Sequence, residues 1–118
     1  MKKIVISEFM DANAVKQLET EFDVVYDKTL VDKPEELSAL VRDCAALIVR
    51  NKTQVRGALL DAAQKLCVVG RLGVGLDNID VPGCRNRGIA VIPATGANSV
   101  SVAEYVLAGL LMLVESEH

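Results

Sequence analysis

The sequence predicts an α/β fold in which five parallel strands alternate with five helices. Five short apolar runs recur along the chain, mostly β-branched and nearly continuous in hydrophobicity, which is typical of strands covered on both faces. The segments between these runs carry apolar residues at helical spacing, so each predicts a helix with one buried face. Right-handed crossovers place such helices on both sides of the sheet, and we expect the flavodoxin-like strand order 2-1-3-4-5.

The elements follow one another in a regular order. The predicted strands are residues 3–7, 23–26, 45–49, 66–69 and 89–92. Pro34 marks the start of the second helix, where a proline is tolerated. Thr53 is predicted to cap the third helix and Asp80 the fourth, because both side chains can accept a hydrogen bond from a backbone N–H of the first helical turn. Gly88 is predicted to end the fourth helix in a left-handed conformation just before the last strand.

The last predicted helix, residues 98–114, is too apolar to be buried by one face of a sheet. Its apolar side chains cover most of the helix circumference, and Ser101 with Glu104 forms a capping-box pattern near its start. We therefore expect self-association through this helix, as a dimer interface or a swapped element. The alternative is a helix folded back on its own sheet, which would leave some Leu and Val side chains exposed.

Length and composition limit the functional classes. A chain of 118 residues that is 51% hydrophobic and 25% charged predicts one globular domain. Its net charge of -3 and its 3% aromatic content predict no nucleic-acid binding. The longest apolar stretch is about half of the roughly 20 residues that span a bilayer. The first three residues lead into a strand rather than a signal-peptide core, so we expect a cytoplasmic protein without membrane contact.

Several chemistries lack the residues that they need. Cys44, Cys67 and Cys84 are widely spaced, so they predict buried apolar side chains rather than a disulfide framework or a zinc site. The one histidine is His118. A histidine at the end of the chain leaves no Ser/His/Asp or Cys/His arrangement and no histidine metal site within the fold.

Arg50 follows the third predicted strand, at the sheet edge where doubly wound folds bind ligands. Its guanidinium can hold a carboxylate, sulfonate or phosphate in a fork, and a solvated strand-end arginine is the alternative. The third strand ends in Arg50 and Asn51, whereas a receiver domain needs a phosphorylated aspartate at that point. Glu8, after the first strand, would repel the phosphate of FMN. A receiver domain and a flavodoxin are therefore excluded.

A glycine cluster follows the fourth predicted strand and consists of Gly70, Gly73 and Gly75. Its spacing does not fit a dinucleotide loop, because the third glycine position of that motif is Asn78 and no acidic residue ends the next strand. What remains is a turn whose backbone N–H groups can cradle a small anion such as a carboxylate, or a tight turn that only needs a positive φ. Arg71 adds a positive charge beside it, unless it pairs with a nearby aspartate.

Four motifs in order resemble the D-isomer-specific 2-hydroxyacid dehydrogenases, especially the phosphoglycerate dehydrogenase branch. They are VRNKT at 49–53, GRLGVGLDNID at 70–80, RGIAV at 87–91 and NSVSVAE at 98–104. The resemblance runs along nearly the whole chain. The opening ISEFMD at 6–11 is also similar to sulfolactate dehydrogenases.

This resemblance implies that residues 1–118 form a substrate-binding domain, and that the NAD-binding Rossmann domain with the catalytic residues lies outside them. It implies no cofactor and no catalytic residue for this chain, with NAD used by the parent enzyme. Arg50 and Asn51 would contact the substrate, Asn51 standing where many relatives have Ser. The turn of Gly73, Val74 and Gly75 would receive the substrate carboxylate. The resemblance places the hinge between domains at Asn98 and Ser99.

The predicted function is therefore the substrate-binding half of an NAD-dependent 2-hydroxyacid dehydrogenase. This half is expected to bind a small carboxylate weakly and to be inactive by itself. The alternative is a stand-alone or engineered flavodoxin-like scaffold that retains no ligand binding.

Overall fold

Five parallel strands form one sheet in the computed structural model, which describes residues 2–73, 75–93 and 99–116. The strand order β2-β1-β3-β4-β5 confirms the prediction. The strands are β1 (Lys3–Ile6), β2 (Asp23–Tyr26), β3 (Ala46–Val49), β4 (Val68–Arg71) and β5 (Ala90–Pro93). The helices are α1 (Ala12–Glu19), α2 (Pro34–Val41), α3 (Ala58–Ala62), α4 (Val81–Asn86) and α5 (Ser99–Ser116), with a 3₁₀ helix at Leu30–Asp32.

The sheet divides the core into two layers, as its central strand β3 shows. Its residues are all buried, and side chains alternate between the two faces of the sheet. Ala46 and Ile48 pack in the layer that contains α1 and α5, whereas Leu47 and Val49 pack in the layer that contains α2, α3 and α4. Helices therefore cover both faces, which explains the continuous apolar runs of the strands.

Several predicted boundaries are confirmed. Pro34 is the first residue of α2. Asp80 is the N-cap of α4, and its carboxylate accepts from the backbone N–H of Gly83 at 3.0 Å. Gly88 follows α4 with φ +72, a left-handed conformation that glycine adopts without a Cβ clash.

Two other boundaries were predicted wrongly. The fourth strand is Val68–Arg71 rather than residues 66–69, so Gly70 and Arg71 belong to the strand and not to the loop after it. Thr53 does not cap α3, which begins at Ala58 after Gly57. The hydroxyl of Thr53 is instead bonded to that of Ser7, because the preceding loop lies against the end of β1.

Helix α5 folds back on the sheet of its own chain, where it packs on α1, β4 and β5. Its buried side chains are Val102, Ala103, Val106 and Leu110. On the other side Tyr105 is 61% exposed. The helix begins at Ser99, so the capping box predicted at Ser101 and Glu104 is wrong and both residues lie inside the helix. The described residues contain no helix with the length and apolar character needed to cross a membrane.

Two of the three cysteines are confirmed as buried apolar side chains. Cys44 and Cys84 are fully buried, while Cys67 is half-buried, and all three are free. Burial raises the pKa of the Cys44 thiol to about 12 and also raises the pKa of Cys84. Both thiols are therefore protonated and unreactive at neutral pH.

Gly70 lies inside β4 where α5 comes close to the sheet. A Cβ atom at residue 70 would lie 2.9 Å from Cγ1 of Val102 and 3.3 Å from Cγ2 of Val106. Both neighbours are buried and β-branched, so they have little room to move. We expect Gly70→Ala to lower the free energy of unfolding by about 1–3 kcal/mol, measured by urea denaturation.

Gly109→Ala in α5 is the matched control for this substitution. A Cβ atom there meets nothing within 4 Å. Alanine has a higher helix propensity than glycine, so Gly109→Ala should raise the free energy of unfolding by about 0.5–1 kcal/mol. Equal stability of the two variants would contradict the close packing of α5 on β4.

Candidate functional site

The carboxyl ends of β1, β3 and β4 meet at one edge of the sheet, as their parallel register requires. Ile6 pairs with Ile48 between β1 and β3, and Val49 pairs with Arg71 between β3 and β4. The loops that follow these three strands are therefore neighbours. They contain the residues for which the sequence predicts anion binding, and doubly wound sheets bind their ligands at such an edge.

Glu8 organises the loop of residues 50–53. It is only 5% exposed, and one carboxylate oxygen, Oε2, accepts from the backbone N–H groups of Arg50 at 2.8 Å and Thr53 at 3.0 Å. The other oxygen accepts from the N–H of Lys52 at 3.2 Å. Burial alone would raise the pKa of Glu8, but these donors and the Thr53 hydroxyl outweigh it and lower the pKa.

Asn78 holds the same loop from the other side. Its side-chain Nδ2 donates to the carbonyl oxygens of Arg50 and Thr53, both at 2.8 Å, and the residue is 4% exposed. Both hydrogens of one amide are thus used on two backbone acceptors of this loop. Glu8 binds the backbone N–H groups of the loop after β3, and Asn78 binds its carbonyl oxygens. These side-chain hydrogen bonds fix the shape of the loop in place of regular secondary structure.

Arg71 ends β4 and packs against the glycine turn. It is 8% exposed, its Nη1 donates to the carbonyl of Leu72 at 2.9 Å, and its buried Nε–H has no acceptor among the residues that the structure describes. Gly73 has φ +142, and a Cβ atom there would overlap the guanidinium. The alternative role of Arg71, pairing with a nearby aspartate, is not found, since Arg71 makes no ion pair within the described ranges.

Two cavities lie at this edge and adjoin at Asn51. The first is about 260 Å³ and is lined by Asn51, Gln54, Arg71, Gly75, Asp77 and Asn78. The second, also about 260 Å³, is lined by Glu8, Phe9, Lys28, Val31, Arg50, Asn51 and Lys52. Arg50 is half-buried, and its Nη1 donates to the carbonyl of Phe9 at 3.4 Å.

The structure brings together four of the seven predicted site residues. Asn51 and Gly75 line the first cavity, Arg50 lines the second, and Gly73 contacts Arg71. Ser99 is the first residue of α5. The remaining two, Val74 and Asn98, lie outside the described residues.

The glycine cluster does not fit a dinucleotide. Gly70 lies inside β4, and Gly73 and Gly75 are followed by a loop, since α4 begins only at Val81. A dinucleotide loop opens directly onto a helix N-terminus, which supplies N–H groups and a positive dipole for the pyrophosphate. The described part of this turn has no helix start of that kind, so its residues do not fit NAD.

Sequence reasoning missed the structural roles of Glu8 and Asn78. From the sequence, Glu8 was considered only as a charge that would repel the phosphate of FMN. Asn78 was considered only as the residue at the third glycine position of the dinucleotide motif. One signal for Glu8 was available. It follows β1 directly, and the predicted strand order places β1 beside β3, so a carboxylate there is a neighbour of the loop at residues 50–53.

Lowering the pH is expected to destabilise this loop. The pKa of Glu8 is lowered by folding, so its carboxylate contributes stability above the ordinary glutamate pKa of about 4.3. That contribution is lost as the pH falls through the lower pKa of the folded chain. A Glu8→Gln variant should be about 1–3 kcal/mol less stable at neutral pH. Urea denaturation at acid pH should show a smaller difference in the free energy of unfolding between this variant and the unmodified chain. A difference that stays constant with pH would contradict this role of Glu8.

Comparison with known proteins adds the following findings. The family model described as D-isomer specific 2-hydroxyacid dehydrogenase, catalytic domain, matches residues 4–110. The (S)-sulfolactate dehydrogenase of Chromohalobacter salexigens is 56% identical over 96% of this chain, which covers 37% of that protein. The D-3-phosphoglycerate dehydrogenase of Rattus norvegicus is 40% identical over 95% of the chain, which covers 21% of it.

Solved structures agree with the sequence matches. A crystal structure of a protein from Pyrococcus horikoshii OT3 has a TM-score of 0.74 and 27% identity, covering 81% of this chain and 28% of that one. The NAD+-bound 3-phosphoglycerate dehydrogenase of Entamoeba histolytica has a TM-score of 0.63 and 26% identity, covering 79% of this chain and 32% of that one. The chain therefore spans between 21% and 37% of the length of the four proteins named here.

Proposed function

The chain belongs to the D-isomer specific 2-hydroxyacid dehydrogenase family, and from that premise we propose that it binds and orients the carboxylate of a small 2-hydroxy or 2-oxo acid. In this proposal it is the substrate-binding part of an NAD-dependent enzyme. The activity of a whole dehydrogenase belongs to the proposal, because the chain covers 37% of the sulfolactate dehydrogenase that it resembles.

The buried guanidinium of Arg71 is the observation that carries this proposal. Arg71 lines the first cavity, and its guanidinium makes no ion pair among the residues that the structure describes. A mostly buried cation without a counter-charge costs free energy. A carboxylate in this cavity would supply that negative charge and accept a charge-assisted hydrogen bond from the guanidinium.

The other predicted residues have complementary roles in the proposal. Gly75 lines the first cavity, where the absence of a side chain leaves the backbone of the turn accessible to the ligand. The backbone N–H of Gly73 donates to the carbonyl of Arg71 at 3.0 Å, so Gly73 contributes the space beside the guanidinium. Asn51 lies between the two cavities and is placed to contact the acid beyond its carboxylate. We also propose that Val74 belongs to the cradle and that Asn98 and Ser99 form a hinge to a further domain.

Orientation is the contribution of these residues to the reaction. The hydride-transfer chemistry of such an enzyme would be supplied by NAD. The glycine turn of this chain does not fit that cofactor, so we propose that NAD is held outside the described residues and that the 118-residue chain is inactive by itself. Turnover of NAD(H) by this chain with 2-hydroxy or 2-oxo acids would contradict the proposal.

Ligand titration followed by NMR tests carboxylate binding directly. Lactate added to the 118-residue chain at millimolar concentration should shift the amide signals of Gly73 and Gly75 more than those of residues at the opposite edge of the sheet, such as Lys65. Acetamide, which has no carboxylate, is the control ligand and should leave these signals in place. If lactate also leaves them in place, the chain is a scaffold without retained ligand binding.

Self-association through the helix of residues 98–114 remains part of the proposal. In support of it, Tyr105 presents an aromatic ring to solvent on the face of α5 that does not contact the sheet. Light scattering is expected to give a dimer whose mass falls to that of a monomer in Tyr105→Glu. A monomer for the unmodified chain at micromolar concentration would refute this assembly.

A further inference from the structure

The first cavity is lined by one cationic and one anionic residue, Arg71 and Asp77. These two side chains form no ion pair with each other, and neither forms another ion pair among the residues that the structure describes. Both lie on the segment that begins at the end of β4 and continues through the glycine turn. The cavity therefore offers a ligand two opposite charges at once.

The main chain that carries the Asp77 carboxylate is fixed on both sides. Nη2 of Arg56 donates to the backbone carbonyl of Asp77, although Arg56 does not line this cavity. The next residue, Asn78, is buried and bonded to the loop of residues 50–53. Asp77 itself is exposed, so its carboxylate can be reached by a ligand.

The amide donors around the cavity are already engaged. Nδ2 of Asn78 donates to two backbone carbonyl oxygens, and Nε2 of Gln54 donates to the carbonyl of Lys52 at 3.1 Å. Hydrogen bonds to charged groups are stronger than those between neutral groups. Arg71 and Asp77 are therefore the groups of this cavity that contribute most to the choice of ligand.

A small 2-hydroxy acid satisfies only one of these two charges. Its carboxylate matches Arg71, but its hydroxyl is neutral, so the occupied cavity keeps the negative charge of Asp77. An α-amino acid has the same skeleton with an ammonium group in place of the hydroxyl. Its zwitterion supplies a charge-assisted bond at each end, and the cavity volume of about 260 Å³ restricts it to a small side chain.

We propose that the first cavity is also a binding site for small α-amino acids, with the carboxylate against Arg71 and the ammonium against Asp77. This inference rests on the proposed function, since both classes of ligand use the same contact with Arg71. The amino acid excludes the 2-hydroxy or 2-oxo acid from the cavity, so it is a competitive inhibitor of acid binding. Asp77 is the residue that distinguishes the amine from the alcohol.

Calorimetric titration of the 118-residue chain with alanine and with lactate tests this site, because the two ligands differ only in the ammonium and hydroxyl groups. We expect the better-binding enantiomer of alanine to bind at least about threefold more tightly than lactate at low salt. The gain is limited because Asp77 is exposed to solvent screening. Alanine should also shift the amide signal of Gly75, and excess lactate should displace it. N-acetylalanine keeps the carboxylate without the ammonium, so it should not bind more tightly than lactate.

Substitution of the aspartate assigns the effect to the cavity. Asp77→Asn should lower the ratio of alanine affinity to lactate affinity by about threefold or more, while lactate affinity is unchanged or higher. A general loosening of the turn would affect both ligands and cancel in this ratio. The matched control is Asp23→Asn, which removes the same charge from an exposed residue at the start of β2. The control should keep the ratio.

Three results overturn the inference in different ways. If lactate shifts the amide signals of Gly73 and Gly75 while alanine neither shifts them nor competes, carboxylate binding stands and the amino-acid site is overturned. If neither ligand shifts these signals, the proposed function fails and the amino-acid site falls with it. A ratio of affinities that Asp77→Asn leaves unchanged overturns the assignment of the ammonium to Asp77.

Discussion

An Asn78→Asp variant of this chain is expected to lose about 3–5 kcal/mol of stability at neutral pH, which is a large part of the 5–15 kcal/mol typical of a domain. The amide Nδ2 of Asn78, a buried residue, donates to the carbonyl oxygens of Arg50 and Thr53. A carboxylate has the same shape but no hydrogen to donate. It would place a buried negative charge against two partial negative charges.

The pH dependence of the stability of Asn78→Asp distinguishes the effect of a buried charge from a simple loss of packing. A buried aspartate that faces carbonyl oxygens has a raised pKa in the folded state, so its destabilising effect is present above that pKa. The effect diminishes as the pH falls and the protonated carboxyl regains one donor. The unmodified chain is expected to show the opposite trend, because its Glu8 has a lowered pKa.

Urea denaturation at several pH values measures both effects. Asn51→Asp is the matched control, since Asn51 is exposed and its side chain makes no hydrogen bond to the described residues. Its stability should change by less than about 0.5 kcal/mol. An Asn78→Asp chain as stable as this control at neutral pH would show that the two bonds to residues 50 and 53 do not hold the loop.

An Arg71→Met variant is expected to weaken binding of the acid by about 10–100-fold while leaving the fold intact. The guanidinium lies beside the glycine turn, Arg71 lines the first cavity, and it makes no ion pair among the residues that the structure describes. Replacing a buried cation by an apolar side chain of similar length is often neutral or stabilising. The change in the free energy of unfolding should therefore be less than about 1 kcal/mol, despite the lost bond to Leu72.

Titration with the acid and urea denaturation of the same sample test this variant. Arg85→Met is the control, because Arg85 is exposed in α4 and does not line either cavity at the carboxyl edge. It should bind the acid as the unmodified chain does. Arg71→Met with unchanged affinity would exclude Arg71 from the site, and a chain that unfolds would show that Arg71 is needed for the fold.

Sequence patterns predicted the architecture well because they report local burial. Continuous apolar runs of β-branched residues mark strands covered on both faces, and five of them separated by helical stripes specify the doubly wound sheet. The end of β4 was misplaced because Gly70 looks like a turn residue. Its small size instead serves the close approach of α5, a contact between residues about 30 positions apart that no local pattern contains.

The candidate site could be predicted only in part, for the same reason. Motifs located Arg50, Asn51 and the glycine turn, and the structure places them at one sheet edge. The predicted cap at Thr53 was wrong because its hydroxyl and N–H bond to Ser7 and Glu8, which lie more than 40 residues earlier. Such partners become visible only when β1 and β3 are side by side.

The sequence by itself determined the fold class, the strand order and the family, since these depend on periodicity and on motifs within short segments. Only the tertiary structure decided how the loop of residues 50–53 is held, that Arg71 is buried with an unpaired Nε–H, and that α5 packs on its own sheet. The physical reason is that hydrogen-bond satisfaction and charge burial depend on groups that are distant in sequence. Their free energies are set by the position of each partner, which the chain acquires only on folding.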